Sequence, residues 1–246
     1  MLDKLPLALI AYVGFLFSLS VHEASHATVA YLLKDDTAKR LGRMTLHPMA
    51  HISWVGTVIF PLVGFLTGWP IIGWAKPVPV DIRNLSMKNK RLGYAIVSAA
   101  GPASNLLLTI LLLPIAALTA RYLAHGFPEM GMAIFVAGIQ LQLDKLHGFG
   151  LSSVQVVVMG LVGITVLINL FLAFFNLLPI GPLDGGGVIR GLLPHGLLPK
   201  WDRAQPFMII ILLIIFFSPL GDHLFAPVYW VINHVILPVA ALILGA

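Results

Sequence analysis

Residues Leu151–Leu183 run for 33 positions without Asp, Glu, Lys or Arg. About 20 mostly apolar residues in a helix already cross the hydrocarbon of a bilayer, so a run of this length is a membrane span with residues to spare. Five more charge-free stretches accompany it: Leu5–Val21, Met44–Ala75, Leu92–Ala120, Ala204–Gly221 and Leu224–Ala246. Over the whole chain 59% of residues are hydrophobic, 10% are charged and the mean hydropathy is +0.95. A soluble domain carries nearer a quarter charged residues. Disordered chains, nucleic-acid-binding modules and ordinary cytosolic enzymes are thereby excluded. The expected fold is an all-α polytopic membrane protein of about five to six transmembrane helices. Residues 1–246 read as a single integral-membrane domain, with a core over 5–195 and a C-terminal helix pair over 204–246. No cysteine is present, which removes disulfides, a cysteine nucleophile and cysteine metal ligands.

Basic residues orient such a chain, because Lys and Arg concentrate on the cytoplasmic side. Lys34, Lys39, Arg40 and Arg43 follow the first apolar stretch, and Lys76, Arg83, Lys88, Lys90 and Arg91 precede the one at Leu92. Arg190, Lys200 and Arg203 follow the longest run, while Lys4, Arg121 and Lys145 fall on the other side. The N-terminus is therefore expected outside and the C-terminus inside. Both flanks of Met44–Ala75 are then cytoplasmic, which disfavours one crossing. Gly56, Pro61, Gly64, Gly68, Pro70 and Gly73 interrupt this stretch, so a re-entrant or hairpin-like element is expected. In the outside connection, Ala133–Leu146 reads as an amphipathic surface helix.

The first apolar stretch ends in His22-Glu23-Ala24-Ser25-His26. Positions four apart lie one turn apart on one helix face, so two imidazoles at this spacing can hold one zinc ion. Glu23 stands beside them and can reach a water on the open metal position. Ionisable groups inside a membrane cost about 2.5–3.5 kcal/mol each, and a divalent cation gives three of them a common reason. The plainer alternative is a solvated polar helix end.

A catalytic zinc takes a third protein ligand. Asp3, Glu129, Asp144 and Asp222 fall on the far side of the expected topology, and Asp35, Asp36, Asp81 and Asp202 sit among basic residues. Asp184 ends the longest charge-free run, within Asn176-Leu-Leu-Pro-Ile-Gly-Pro-Leu-Asp184-Gly-Gly-Gly187. Two prolines break the helix there and three glycines allow close backbone approach. Helix capping is the plainer role for this aspartate. Asn105, in Gly101-Pro102-Ala103-Ser104-Asn105, and Asn169 and Asn176, on one helix face, are neutral polar groups in apolar surroundings. They serve as interhelical glue or, for Asn176, as a donor to an oxyanion.

H-E-x-x-H in one span, G-P-x-x-N in another and N-x-x-P…L-D-G after a third, in this order, resemble the site-2 protease family of intramembrane zinc metalloproteases. Leu41–Pro48 and Gly73–Val80 resemble its compact prokaryotic branch, without PDZ or regulatory domain. The resemblance covers residues from about 15 to 190. It implies one Zn²⁺ held by His22, His26 and Asp184, with Glu23 as general base. It further implies that Asn176 stabilises the tetrahedral intermediate and that Asn105 is a structural or substrate-contacting position. The expected activity is regulated intramembrane proteolysis of transmembrane-helix protein substrates in a prokaryotic plasma membrane, with the active site toward the cytoplasm and no nucleic-acid partner. One departure is His47-Pro48…His51-Ile52-Ser53, where the compact branch commonly has Asn-Pro…His-Ile-Asp. His47 and His51 are read as loop residues, with His51 a structural anchor. The competing readings are a catalytically inactive membrane scaffold and a zinc-binding or zinc-transport protein.

Overall fold

The computed structural model describes residues 5–67 and 73–246. Gly68 and Pro70, two of the expected interruptions, lie outside the described residues, as do Asp3 and Lys4. No strand occurs among the described residues. The helices are α1 (Leu5–Leu32), α2 (Thr37–Arg40), α3 (Phe60–Thr67), α4 (Lys90–Leu123), α5 (Pro128–Ile139), α6 (Leu143–Gly148), α7 (Ser153–Leu177), α8 (Asp184–Leu192), α9 (Leu198–Phe216), α10 (Gly221–Val231) and α11 (Leu237–Leu244). Four helical segments among the described residues are long and apolar enough to cross a membrane: α1, α4, α7 and His223–Leu244. The all-α polytopic expectation holds. The two remaining apolar stretches form shorter or more polar helices. Lys200, Asp202 and Arg203 fall within α9, and Trp54–Gly64 is a short apolar helix.

The chain forms two compact units. One comprises Met1–Phe15, Asn105–Phe174 and Leu212–Ala246, and the other Leu16–Ser104 and Phe175–Ile211. The helices α1, α4, α7 and α9 contribute residues to both.

The first unit has its core around Ile134, Phe135, Ile139, Leu146, Met159 and Val166, all at most 2% exposed. Its centre corrects one expectation. Residues 133–146 do not form a surface helix: Ile134, Phe135, Ala137 and Ile139 of α5 are buried, and the helix ends before Leu141, which has φ of 51°. The physical reason is a pair of glycines. A Cβ on Gly163 of α7 would run into the backbone of Gly138 and Ile139, so the two helices meet backbone to backbone and no room is left for solvent. Asn105 and Asn169 are fully buried in this unit, and the Asn105 amide donates to the Asn169 side-chain oxygen at 2.7 Å.

In the second unit α1 ends in a left-handed turn. Lys34 has φ of 74°, its N–H donates to Tyr31 O and the Asp35 N–H to Ala30 O, the paired bonds of a Schellman cap. The fully buried Asp35 carboxylate then accepts from the Thr37 hydroxyl at 2.5 Å, the Asn84 amide at 3.1 Å and the Asp81 N–H at 2.7 Å. This ties the loop after α1 to the segment leading into α4.

The stretch 44–75 is hairpin-like, as expected. A wide helical turn at Trp54–Ile59 runs straight into α3. The chain then returns to its starting point. The Trp74 N–H donates to Gly56 O at 3.2 Å, the Thr57 hydroxyl to Trp74 O at 2.9 Å and the Lys76 N–H to His51 O at 2.9 Å. Gly56 is required at this contact, since a Cβ there would strike the Trp74 indole. His51, 1% exposed, donates from Nε2 to Thr45 O at 2.8 Å and so anchors the loop, whereas His47 caps the turn at Pro48–Ala50.

Candidate functional site

His22 and His26 share one face of α1, and their Nε2 atoms lie 3.1 Å apart. Both rings are buried, at 4% and 7% exposure. A uniform helix through residues 22–26 is all this spacing needs, and it comes from an apolar sequence without Pro or Gly between Phe15 and Leu32.

Asp184 arrives from 158 positions later in the chain. Pro179 and Pro182 cannot continue α7, and the chain reverses tightly before α8. The reversal needs glycine: a Cβ on Gly185 would strike the Leu177 and Leu178 carbonyls, and one on Gly186 the Ile180–Gly181 backbone. Gly187 and Gly191 then lie against Ser98 and Ala95 of α4. Asp184 is the first residue of α8, where the exposed N–H groups of the helix favour a carboxylate. Its Oδ2 stands 3.0 Å from His22 Nε2 and 3.3 Å from His26 Nε2. The side chain therefore points into the histidine pair instead of capping its own helix.

Three ligand atoms thus converge within 4.8 Å of one another. The contacts between them, 3.0–3.3 Å, match the roughly 3.3 Å edge of a tetrahedron whose ligands sit about 2.0–2.1 Å from a central zinc. Asp184 Oδ2 is buried without a hydrogen-bond donor. The Nδ1–H of His26 is directed to Val97 O at 2.7 Å, which leaves the Nε2 lone pair of the neutral ring facing the cluster. Two imidazole nitrogens and one carboxylate oxygen form a divalent-cation donor set, and the residues present fit the group.

Gly101 of α4 passes directly over the cluster, and a Cβ built there would clash with both Nε2 atoms. Glu23, next to His22 in the chain and 8% exposed, accepts the Val78 N–H on Oε2 at 3.2 Å. Val78 lies in the extended segment after the hairpin, between Pro77 and Pro79.

His22, His26 and Asp184 are brought together and Glu23 stands next to them on α1. Asn176 sits on the last turn of α7, eight residues before Asp184. Asn105 is bonded to Asn169 in the other unit. Three contributors carry no distinct signal in the sequence, the Val97 carbonyl, the Val78 N–H and Arg43. The first two are backbone groups without a side-chain signature, and Arg43 reads in the sequence as one cytoplasmic charge among several.

The family model for peptidase family M50 matches residues 10–218. The chain belongs to peptidase family M50. This is the site-2 protease family that the motif order resembles, and the match encloses the histidine pair, Asp184, Asn105, Asn169 and Asn176. The M50 chain is 35% identical over 224 residues to "Putative zinc metalloprotease YwhC" of Bacillus subtilis strain 168, covering 90% of this chain and 87% of that protein. It is 31% identical over 225 residues to "Putative zinc metalloprotease Rip2" of Mycolicibacterium smegmatis, covering 88% of this chain and 70% of that one. No solved structure matches it. M50 membership and the four apolar helices make it an integral membrane protein of a metalloprotease family, set in a lipid bilayer.

Proposed function

We propose that this M50 protein is a zinc endopeptidase that hydrolyses peptide bonds of transmembrane-helix protein substrates inside the bilayer. The observation that carries the reading is the convergence of His22 Nε2, His26 Nε2 and Asp184 Oδ2 from opposite ends of the chain. Helices shared by both units support treating residues 1–246 as one membrane domain, with the core over 5–195 and the C-terminal pair over 204–246. The basic clusters support a cytoplasmic C-terminus and a site toward the cytoplasmic face of a prokaryotic plasma membrane.

His22, His26 and Asp184 would hold one zinc ion, with Asp184 offsetting part of its charge. Bound there, zinc supplies Lewis acidity that makes water a nucleophile near neutral pH and polarises the scissile carbonyl. Glu23 accepts the proton of the attacking water and delivers it to the amine nitrogen as the C–N bond breaks. The Asn176 amide donates to the carbonyl oxygen as it gains negative charge. Val97 holds the His26 ring in one orientation throughout. A substrate helix must unwind locally first, because its amides are otherwise engaged within the helix.

The test is cleavage of a single-span model peptide by purified protein, with zinc content measured in parallel. Glu23→Gln should keep stoichiometric zinc and lose cleavage by about 10²–10⁴-fold. Cleavage unchanged in Glu23→Gln contradicts the assignment. Zinc flux across proteoliposomes without peptide cleavage by wild type would make the protein a transporter, and binding of single-span peptides without cleavage would make it a scaffold.

A further inference from the structure

Arg43 is a buried cation that the proposed chemistry does not use. It is 7% exposed, although it lies in a loop of otherwise solvated basic residues. A guanidinium withdrawn from water needs acceptors, and here they are main-chain carbonyls. One terminal nitrogen of Arg43, Nη2, donates both to Lys76 O and to Pro77 O, the second at 3.4 Å. The next N–H along the chain, that of Val78, is the one taken by Glu23 Oε2 at 3.2 Å. Proline flanks Val78 on both sides and has no N–H. Over residues 77–79 the backbone therefore offers a single donor, and it is given to Glu23. On its far side the same segment is pinned by the Lys76 N–H to His51 O bond at 2.9 Å.

We infer that Arg43 is a positioning residue for the reaction: by gripping the Lys76 and Pro77 carbonyls it holds the Val78 N–H against Glu23 and fixes the orientation of that carboxylate. The amide occupies Oε2, which leaves Oε1 as the oxygen that takes the proton in the proposed reaction. A long flexible side chain such as glutamate has several rotamers, and a base out of reach of its proton is not a base. The inference rests on the reading of Glu23 as general base.

Two measurements on the full-length protein in detergent test it. The first is amide hydrogen exchange. The tripeptide Pro77-Val78-Pro79 contains one exchangeable amide, so its signal is unambiguous. Arg43→Met should speed exchange at Val78 at least tenfold while zinc content stays at the wild-type level. Unchanged exchange at Val78 overturns the inference. The second is a double-mutant cycle on cleavage of the model peptide. Arg43→Met and Val78→Pro should each lower kcat by roughly 10–100-fold with KM within about twofold, and the double variant should fall no further than the worse single one. Additive losses would mean that Arg43 acts by another route and would overturn the inference. Glu23→Gln run alongside separates the two readings. If it cleaves normally, the base assignment fails. If it is inactive while Arg43→Met retains full kcat, only the positioning role fails.

Discussion

The Nδ1–H of His26 meets the carbonyl oxygen of Val97 at 2.7 Å, and four residues further along the same helix Gly101 clears the space over both imidazoles. One turn of α4 thus does two things for the cluster. It sets the ring orientation through a main-chain acceptor, and it withholds a side chain that would clash with both imidazoles.

Gly101→Ala should therefore lower zinc occupancy, by roughly tenfold or more, without unfolding the helix bundle. Elemental analysis of purified protein gives the occupancy and circular dichroism the helix content. Gly148→Ala is the matched control, because nothing lies within 4 Å of a Cβ there. Full occupancy in Gly101→Ala would show that the helix can retreat.

The Asn105–Asn169 bond is fully buried, and removing one partner leaves the other without it. Asn105→Ala should cost about 1–2 kcal/mol of unfolding free energy in detergent. If Asn105 also contacts substrate, KM for the model peptide will rise beyond what the stability loss explains.

Asp35 and Asp81 should carry part of the acid sensitivity. Burial pushes the Asp35 carboxyl up, but donors from Thr37, Asn84 and Asp81 outweigh it and hold it below the usual carboxylate range. The Arg83 guanidinium beside Asp81 lowers that carboxyl to about 2. A carboxylate whose folded value is depressed stabilises above its unfolded value, about 3.9, and loses that contribution as pH falls through the folded value. Asp35→Ala should cost about 3 kcal/mol at neutral pH and flatten the decline in stability below pH of about 4. Thermal melts of chelator-treated wild type and variant from neutral to acid pH measure the difference. An equally steep acid decline in the variant counts against it.

Lys34 closes α1 with φ of 74°, a conformation that costs a side-chain-bearing residue on the order of 1 kcal/mol. Lys34→Gly should raise stability by about that amount. A lower melting temperature would mean that the lysine side chain contributes more than the strain removes.

Much of this was legible in advance because membranes impose few solutions. Charge-free runs are helices there, and a histidine pair four residues apart in such a run has one common face. Asp184 stood out because two prolines and three glycines around one acid make sense only if the backbone must turn sharply and approach a neighbour. The hairpin after α1 followed from basic residues on both of its flanks. The core position of α5 was not legible: its place in the outside connection suggested a surface, and the Gly138–Gly163 approach, a contact between residues 25 apart, explains its burial. Backbone groups leave no trace in side-chain patterns, so Val97 O and Val78 N–H were beyond reach. Arg43 was visible but ambiguous, since an arginine among basic neighbours reads as solvated until its acceptors are known.

Zinc-edge X-ray absorption on the purified protein reads whether one ion is held by His22, His26 and Asp184. One zinc per chain is expected, with two imidazole nitrogens and a carboxylate oxygen at about 2.0–2.1 Å, and the metal should be lost in Asp184→Ala and in His22→Ala. Stoichiometric zinc with an unchanged spectrum in both variants would contradict it.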